Sequence, residues 1–245
     1  MSQKWAMART ALRHISKASP GRCPCCHQLT AYVLVNSKNL REGYWCVRCR
    51  SLGRNRLVAL GLTATLPAPN MRAIGSTGLH KDVYIAATSG AIFTHMPVGT
   101  PQLTTSDYIP SVEWGSVLPD GHSTSQSLEG LTYDDRSFDI VITEDVLEHV
   151  RDPDACFSEI HRVLRPGGAH IFTVPWRPDL EQILRVDTSG PEDVRLLPDE
   201  WHGDVITGRI LAYRTFGYGI FAQMAKHGFE TELLRPSLAI WAKIP

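Results

Sequence analysis

The stretch that decides the fold begins at Phe138-Asp139-Ile140-Val141-Ile142-Thr143. Asp152-Pro153-Asp154 then opens a segment carrying Phe157, Ile160, Val163 and Leu164, and Arg165-Pro166-Gly167-Gly168 closes it before His170-Ile171-Phe172-Thr173-Val174-Pro175. The two outer runs are continuously apolar, as strands buried on both faces are. Between them the apolar positions recur at helical spacing, with an Asp-Pro start signal and a Pro-Gly-Gly stop. Strand, helix and strand in this order predict a parallel βαβ unit.

Working outward, Val83–Ala87 reads as a strand, Ser89-Gly90-Ala91-Ile92-Phe93 as a turn entering a helix, and Gln102–Ser106 as a second strand ending at Asp107. Strands and helices alternating at this pitch predict an α/β domain with a doubly wound, mostly parallel sheet and helices on both faces. Ligands in such sheets bind beyond the carboxyl ends of the strands, at the point where the strand order reverses.

The amino-terminal part differs in kind. Of the six cysteines, five lie between positions 23 and 49, and Cys23-x-x-Cys26 is separated from Cys46-x-x-Cys49 by nineteen residues. Two tight turns, each aiming two thiolates at one ion, complete a closed tetrahedron, so Cys23, Cys26, Cys46 and Cys49 are the expected ligands of a structural Zn²⁺. Cys25 is an alternative ligand within the first turn and His27 a weaker one, and two disulfides are the competing reading. Ala31–Val35 and Gly43-Tyr44-Trp45 are the expected strands of a small zinc ribbon.

The 245 residues carry no net formal charge and are 43% hydrophobic, which excludes a disordered chain. The neutrality hides a split. Residues 1–56 hold eleven Lys and Arg against one acid, a charge of +10, which leaves −10 for residues 57–245. Four thiolates around Zn²⁺ reduce the excess by two, and docking of the basic part on the acidic part is the expectation ahead of an outside polyanion. The chain thus divides into 1–56 (an amino-terminal helix and zinc-ribbon-like module), 57–81 (a connecting helix with Leu57, Leu60, Leu62 and Leu66, stopped by Pro67-Ala68-Pro69) and 82–245 (the α/β domain). Trp5, Ala6, Leu12 and Ile15 fit a short amphipathic helix packed on its own protein. Neither a secretory leader nor an apolar run long enough for a membrane span is apparent, so a cytoplasmic location is expected.

Three motifs now resemble a family. Leu131-Thr132-Tyr133-Asp134-Asp135-Arg136-Ser137-Phe138-Asp139, Val146-Leu147-Glu148-His149-Val150 and Arg162-Val163-Leu164-Arg165-Pro166-Gly167-Gly168 resemble a class I S-adenosylmethionine-dependent methyltransferase, in its methyltransferase type 11 branch, over roughly residues 82–235. The resemblance implies a Rossmann-like domain with S-adenosylmethionine as cofactor. It implies that Ala86-Ala87-Thr88-Ser89-Gly90, with a single glycine, approaches the methionine end, and that Asp107 grips the ribose hydroxyls, against the alternative of a turn cap. It further implies that Ser127 and Leu128 face the adenine, and that Thr143, Glu144 and Asp145 edge the methyl-transfer centre.

Asp145, His149 and His202 are the catalytic candidates. Glu148-His149 also reads as a pair that orients the loop, and Trp201-His202-Gly203-Asp204 as a capped turn in the long insert where acceptor-binding loops sit. Imidazoles titrate near neutrality and suit general-base work. Trp and Tyr of 201–218 read as acceptor-pocket wall or core, and Cys156 as buried packing.

The implied reaction is in-line methyl transfer to a small-molecule or glycan-type acceptor. An RNA acceptor docked by Arg48, Arg50, Arg54 and Arg56 is the second reading, and a non-catalytic binding protein that kept the fold is the third. No pattern assigns an oligomeric state.

Overall fold

In the computed structural model, residues 19–36, 40–66, 68, 70–76, 81–96, 103–204, 206–235 and 239–243 are described. The expected amphipathic segment of residues 5–15, Pro67 and Pro69 of the expected stop, and Gln102 of the expected second strand lie outside them. The chain divides into two compact units, Met1–His80 with Ser89–Pro101 and Lys81–Thr88 with Gln102–Pro245.

In the first unit, β1 (Ser19–Arg22), β2 (Leu29–Leu34) and β3 (Tyr44–Cys46) form an antiparallel sheet in that order. A four-residue helix α1 (Leu40–Gly43) leads into β3, and α2 (Gly53–Thr65) follows it. Leu57 and Leu62 are buried in α2 and Leu66 just beyond it, whereas Leu60 faces solvent. Asn55 closes the start of α2 by accepting from the Leu52 amide at 2.8 Å. Helix α3 (Gly90–His95) belongs to the same unit. No described helix is long and apolar enough to cross a membrane.

The second unit is built on β4 (Val83–Ile85), β5 (Leu103–Asp107), β6 (Thr124–Ser125), β7 (Phe138–Glu144) and β8 (Leu164–Thr173). The strand insert that follows contains β9 (Gln182–Leu184), β10 (Val186–Asp187), β11 (Val194–Arg195), β12 (Trp201–Asp204), β13 (Gly208–Leu211) and β14 (Arg214–Phe216), paired as three two-stranded ribbons. Two further strands, β15 (Glu230–Arg235) and β16 (Ala239–Lys243), complete a seven-stranded sheet of order β15-β16-β8-β7-β4-β5-β6. From β6 to β8 every pairing is parallel, while β16 runs antiparallel to β8 and to β15.

The chain starts at the central β4, moves outward through β5 and β6, then returns to β7 on the other side of β4. The sheet is doubly wound, and its reversal lies between β4 and β7. Helix α4 (Pro153–Val163), with Asp152 capping it by accepting from the Ala155 amide at 3.0 Å, buries Cys156, Phe157, Ile160 and Val163. They join Ile220 and Met224 of α5 (Gly219–Lys226) and Tyr84, Val141 and Phe172 of the sheet in one cluster. Ile140, Ile142 and Ile171 alternate with these and are also buried, which accounts for the unbroken apolar runs.

The expected closing turn Arg165–Gly168 is instead the bulged start of β8, because Phe138 pairs with Leu164 while Ile140 already pairs with Ala169. Gly167 has φ +77°, a conformation open to glycine. Arg162 in the same motif is a tie: it donates to both Glu159 carboxylate oxygens at 2.8 Å, to Asp135 at 2.8 Å and to the Tyr133 and Leu131 carbonyls at 2.8 and 2.9 Å. The loop before β7 is thereby held to α4.

His170 on β8 is fully buried, 3.0 Å from the Thr143 hydroxyl and stacked on Phe172. Burial pushes its pKa down to about 3. The folded chain therefore refuses a proton that the unfolded chain accepts below about pH 6.5. Stability is expected to fall as pH drops from about 6.5 toward 3, at up to roughly 1.4 kcal/mol per pH unit. Urea unfolding across that range checks this, and His170→Gln should lose the part of the slope that His170 contributes.

Candidate functional site

The site is assembled where the carboxyl ends of β4, β5 and β7 leave the sheet. Asp107 ends β5, and its Oδ2 accepts from the Thr88 hydroxyl at 2.8 Å while Oδ1 accepts from the Tyr108 amide at 3.1 Å. Thr88 follows β4, so one hydrogen bond joins the loops after two neighbouring strands. Asp107 pairs in register with Ser125, and its carbonyl accepts from the Gln126 amide at 3.0 Å. This brings Ser127 and Leu128 to the same edge, both buried. The Ser127 hydroxyl accepts from the Glu129 amide at 3.2 Å and so closes its own turn. Gly90, at φ +96°, opens α3 in the first unit, with Ser89 as its extended N-terminal flank.

Beyond β7 the predicted residues diverge. Thr143 is buried and its hydroxyl engages His170 inside the sheet. Glu144 ends the strand half-buried. Asp145 takes the left-handed conformation at φ +56°, held by Thr173, whose hydroxyl donates to Asp145 Oδ1 at 2.8 Å and whose carbonyl accepts the Asp145 amide at 2.9 Å. That turn throws the chain into a short 3-10 segment, Leu147–His149.

There the structure joins residues far apart in sequence. His149 Nε2 and His202 Nδ1 stand 3.2 Å apart, and Glu148 Oε1 lies 3.6 Å from the first and 3.7 Å from the second. The Glu148 side chain is 0% exposed, His149 7% and His202 27%. The outer ring nitrogens are anchored: His149 Nδ1 faces the Leu211 carbonyl at 2.8 Å and His202 Nε2 faces Glu200 Oε1 at 3.2 Å. Arg185 pairs with the other Glu200 oxygen. Glu148, and after it Glu200, raise the His202 pKa above its ordinary value against desolvation. Pairing of β12 with β13 sets His202 opposite Ile210 and so delivers its ring. Sequence reading singled out both imidazoles but missed their union with Glu148, because 53 residues separate His149 from His202. Trp201 and Tyr218 are exposed, and Arg209 lies over the Trp201 ring at 4.4 Å.

In the first unit, one sulfur each from Cys23, Cys26, Cys46 and Cys49 lie within 4.8 Å of one another. The Cys23 and Cys49 sulfurs are 3.7 Å apart, near the tetrahedral edge of about 3.8 Å expected for Zn–S bonds of about 2.3 Å. Both turns have the same backbone. His27 donates to the Cys23 carbonyl and Arg50 to the Cys46 carbonyl, each at 2.8 Å, and His27 and Arg50 both have positive φ. The hydrogen bond with Cys23 and burial hold the Cys25 thiol protonated, and the same bond lowers Cys23 far below the thiol range. The donor set fits a structural Zn²⁺.

Residues 111–172 match the methyltransferase domain family. The chain is 37% identical over 71 residues to a ubiquinone/menaquinone biosynthesis C-methyltransferase of Hydrogenovibrio crunogenus, covering 29% of this chain and 24% of that protein. It is 39% identical over 56 residues to a glycine/sarcosine/dimethylglycine N-methyltransferase of Actinopolyspora halophila, covering 23% of this chain and 10% of that protein. The chain therefore spans a quarter or less of these curated relatives. Among solved structures it is similar to an S-adenosylmethionine-dependent methyltransferase of Mesorhizobium loti, with a TM-score of 0.45, 16% identity, and coverage of 76% of this chain and 97% of that one. The motif block within residues 111–172 and the reversed parallel strand order around it are thus similar to those of class I S-adenosylmethionine-dependent methyltransferase domains.

Proposed function

We propose that the chain transfers the methyl group of S-adenosylmethionine to a hydroxyl of a small molecule or glycan. The observation that carries this reading is Asp107 at the end of β5, the neighbour of β4, fixed by Thr88 at 2.8 Å. A carboxylate there accepts from both hydroxyls of a ribose at once, and the buried Ser127-Leu128 turn at the same edge flanks the base. The cofactor, once bound, supplies an activated methyl on a sulfonium. What the protein adds is alignment, on the order of 7–11 kcal/mol for well-oriented reactants, and management of the acceptor proton. The Glu148, His149 and His202 cluster beyond β7 serves that second task, with His202 its most open member.

Two arginines of the RNA reading are engaged within their own module. Arg54 pairs with Glu42 at 3.0 Å, and Arg56 donates to the Tyr44 and Ser51 carbonyls and lies over the Tyr32 ring at 4.5 Å. This supports the small acceptor. Methyl-labelled cofactor incubated with the protein and separated cell fractions should label the small-molecule or glycan fraction. Label confined to RNA, lost when Arg48 and Arg50 are neutralised, would establish the RNA reading instead. A structural Zn²⁺ on the four cysteines belongs to the same proposal.

A further inference from the structure

We propose that Glu148, His149 and His202 bind one divalent first-row transition cation. Among the described residues their donor atoms form one of two groups close enough to share an ion, the cysteine tetrad being the other.

Hydrogen-bond polarity sets where the two rings carry their protons. His149 Nδ1 faces a carbonyl and His202 Nε2 a carboxylate, both of which only accept. The outer nitrogens therefore carry the protons, and the inner nitrogens present lone pairs. Those inner nitrogens meet at 3.2 Å, and both oxygens of a fully buried carboxylate lack a donor. Three electron-rich groups converge on one point, an arrangement that a cation stabilises and that is costly without one.

The spacing of the three groups also suits a shared ion. Metal–ligand bonds of about 2.0–2.2 Å set adjacent donors roughly 2.9–3.6 Å apart, and the separations here are 3.2, 3.6 and 3.7 Å. Both imidazoles already have outer partners of the kind that orient metal-bound histidines. Two imidazoles with one carboxylate suit zinc, manganese, iron or cobalt rather than the all-oxygen shells of calcium and magnesium. Three protein donors leave open positions, on the side where His202 reaches solvent. Its use rests on the methyl-transfer reading: an acceptor oxygen entering an open position would lose its proton more easily.

Cobalt(II) is the probe, titrated into the metal-free 245-residue chain, whose cysteine module folds as it takes the first equivalent. The cysteine tetrad announces itself by thiolate charge-transfer absorption. A second equivalent is expected with visible d–d bands and no added thiolate absorption. Glu148→Gln and His202→Ala should lose this second equivalent and keep the first, while Glu200→Gln should weaken it about tenfold. A cooperative thermal transition and an unchanged far-ultraviolet dichroism spectrum in each variant establish that the unit carrying the cluster is folded. In the unaltered chain, imidazole nitrogen couplings to bound manganese(II) in pulsed electron paramagnetic resonance give the same answer without a substitution. A single cobalt equivalent, or a second that persists in both ligand variants, would overturn the proposal and leave the cluster a proton-sharing trio. Cofactor binding measured in parallel keeps the two readings apart, since metal-free chain that still binds S-adenosylmethionine retains the methyl-transfer reading whatever cobalt does.

Discussion

Replacing Cys46 with serine is expected to abolish zinc binding by the cysteine tetrad and unfold residues 19–66, with β7 and its neighbours intact. The three strands β1, β2 and β3 have only 4, 6 and 3 residues, and a sheet this small is marginal in water. Structural zinc contributes about 10–16 kcal/mol of apparent binding free energy in small modules, comparable with the whole stability of an ordinary domain. Cys46 does more than supply a thiolate. It ends β3 opposite Tyr32, its amide bonds the Ser51 carbonyl at 3.0 Å, and its carbonyl anchors the second turn. Serine preserves those backbone bonds, so the loss measured isolates the metal. Metal analysis should fall by one equivalent, and protease should cut within 19–66 many times faster. A variant that keeps full zinc content and protection would show that the tetrad does not hold the ion.

Replacing Asp107 with alanine is expected to weaken S-adenosylmethionine binding about 100-fold or more. Two charge-assisted hydrogen bonds to a ribose, at about 1.5–3 kcal/mol each, amount to at least two decades at 1.4 kcal/mol per decade. Thr88→Val should cost about tenfold, because Thr88 fixes Oδ2 at 2.8 Å. Neither change touches the apolar cluster of α4 and α5. Unaltered melting with lost affinity is therefore the expected pair of observations. Equal affinity in wild type and Asp107→Ala would move the ribose elsewhere.

Much of this was legible in the chain itself. The strands expected over 138–143 and 170–175 announced themselves because burial on both faces demands continuous apolar runs, the cysteine tetrad followed from spacing, and the ribose role of Asp107 came from the family resemblance. Arg165–Gly168 misled because Pro-Gly-Gly signals a stop, whereas here it bulges one edge of a continuing strand. The ribbons between 182 and 216 left no periodic trace, since strands of two to four residues are too short to show one. Thr143 followed the alternation of its strand into the sheet rather than the loop beyond it. The union of Glu148 with His202 depends on the β12–β13 pairing, which no local pattern encodes.

The proposed methyl transfer requires that the second unit bind S-adenosylmethionine. Calorimetric titration of the full-length chain with S-adenosylmethionine tests it most directly. One site per chain with micromolar affinity is expected, sharply weakened in Asp107→Ala. No heat of binding at millimolar cofactor, from protein that is folded and zinc-loaded, would contradict it and leave a protein that kept the fold without the chemistry.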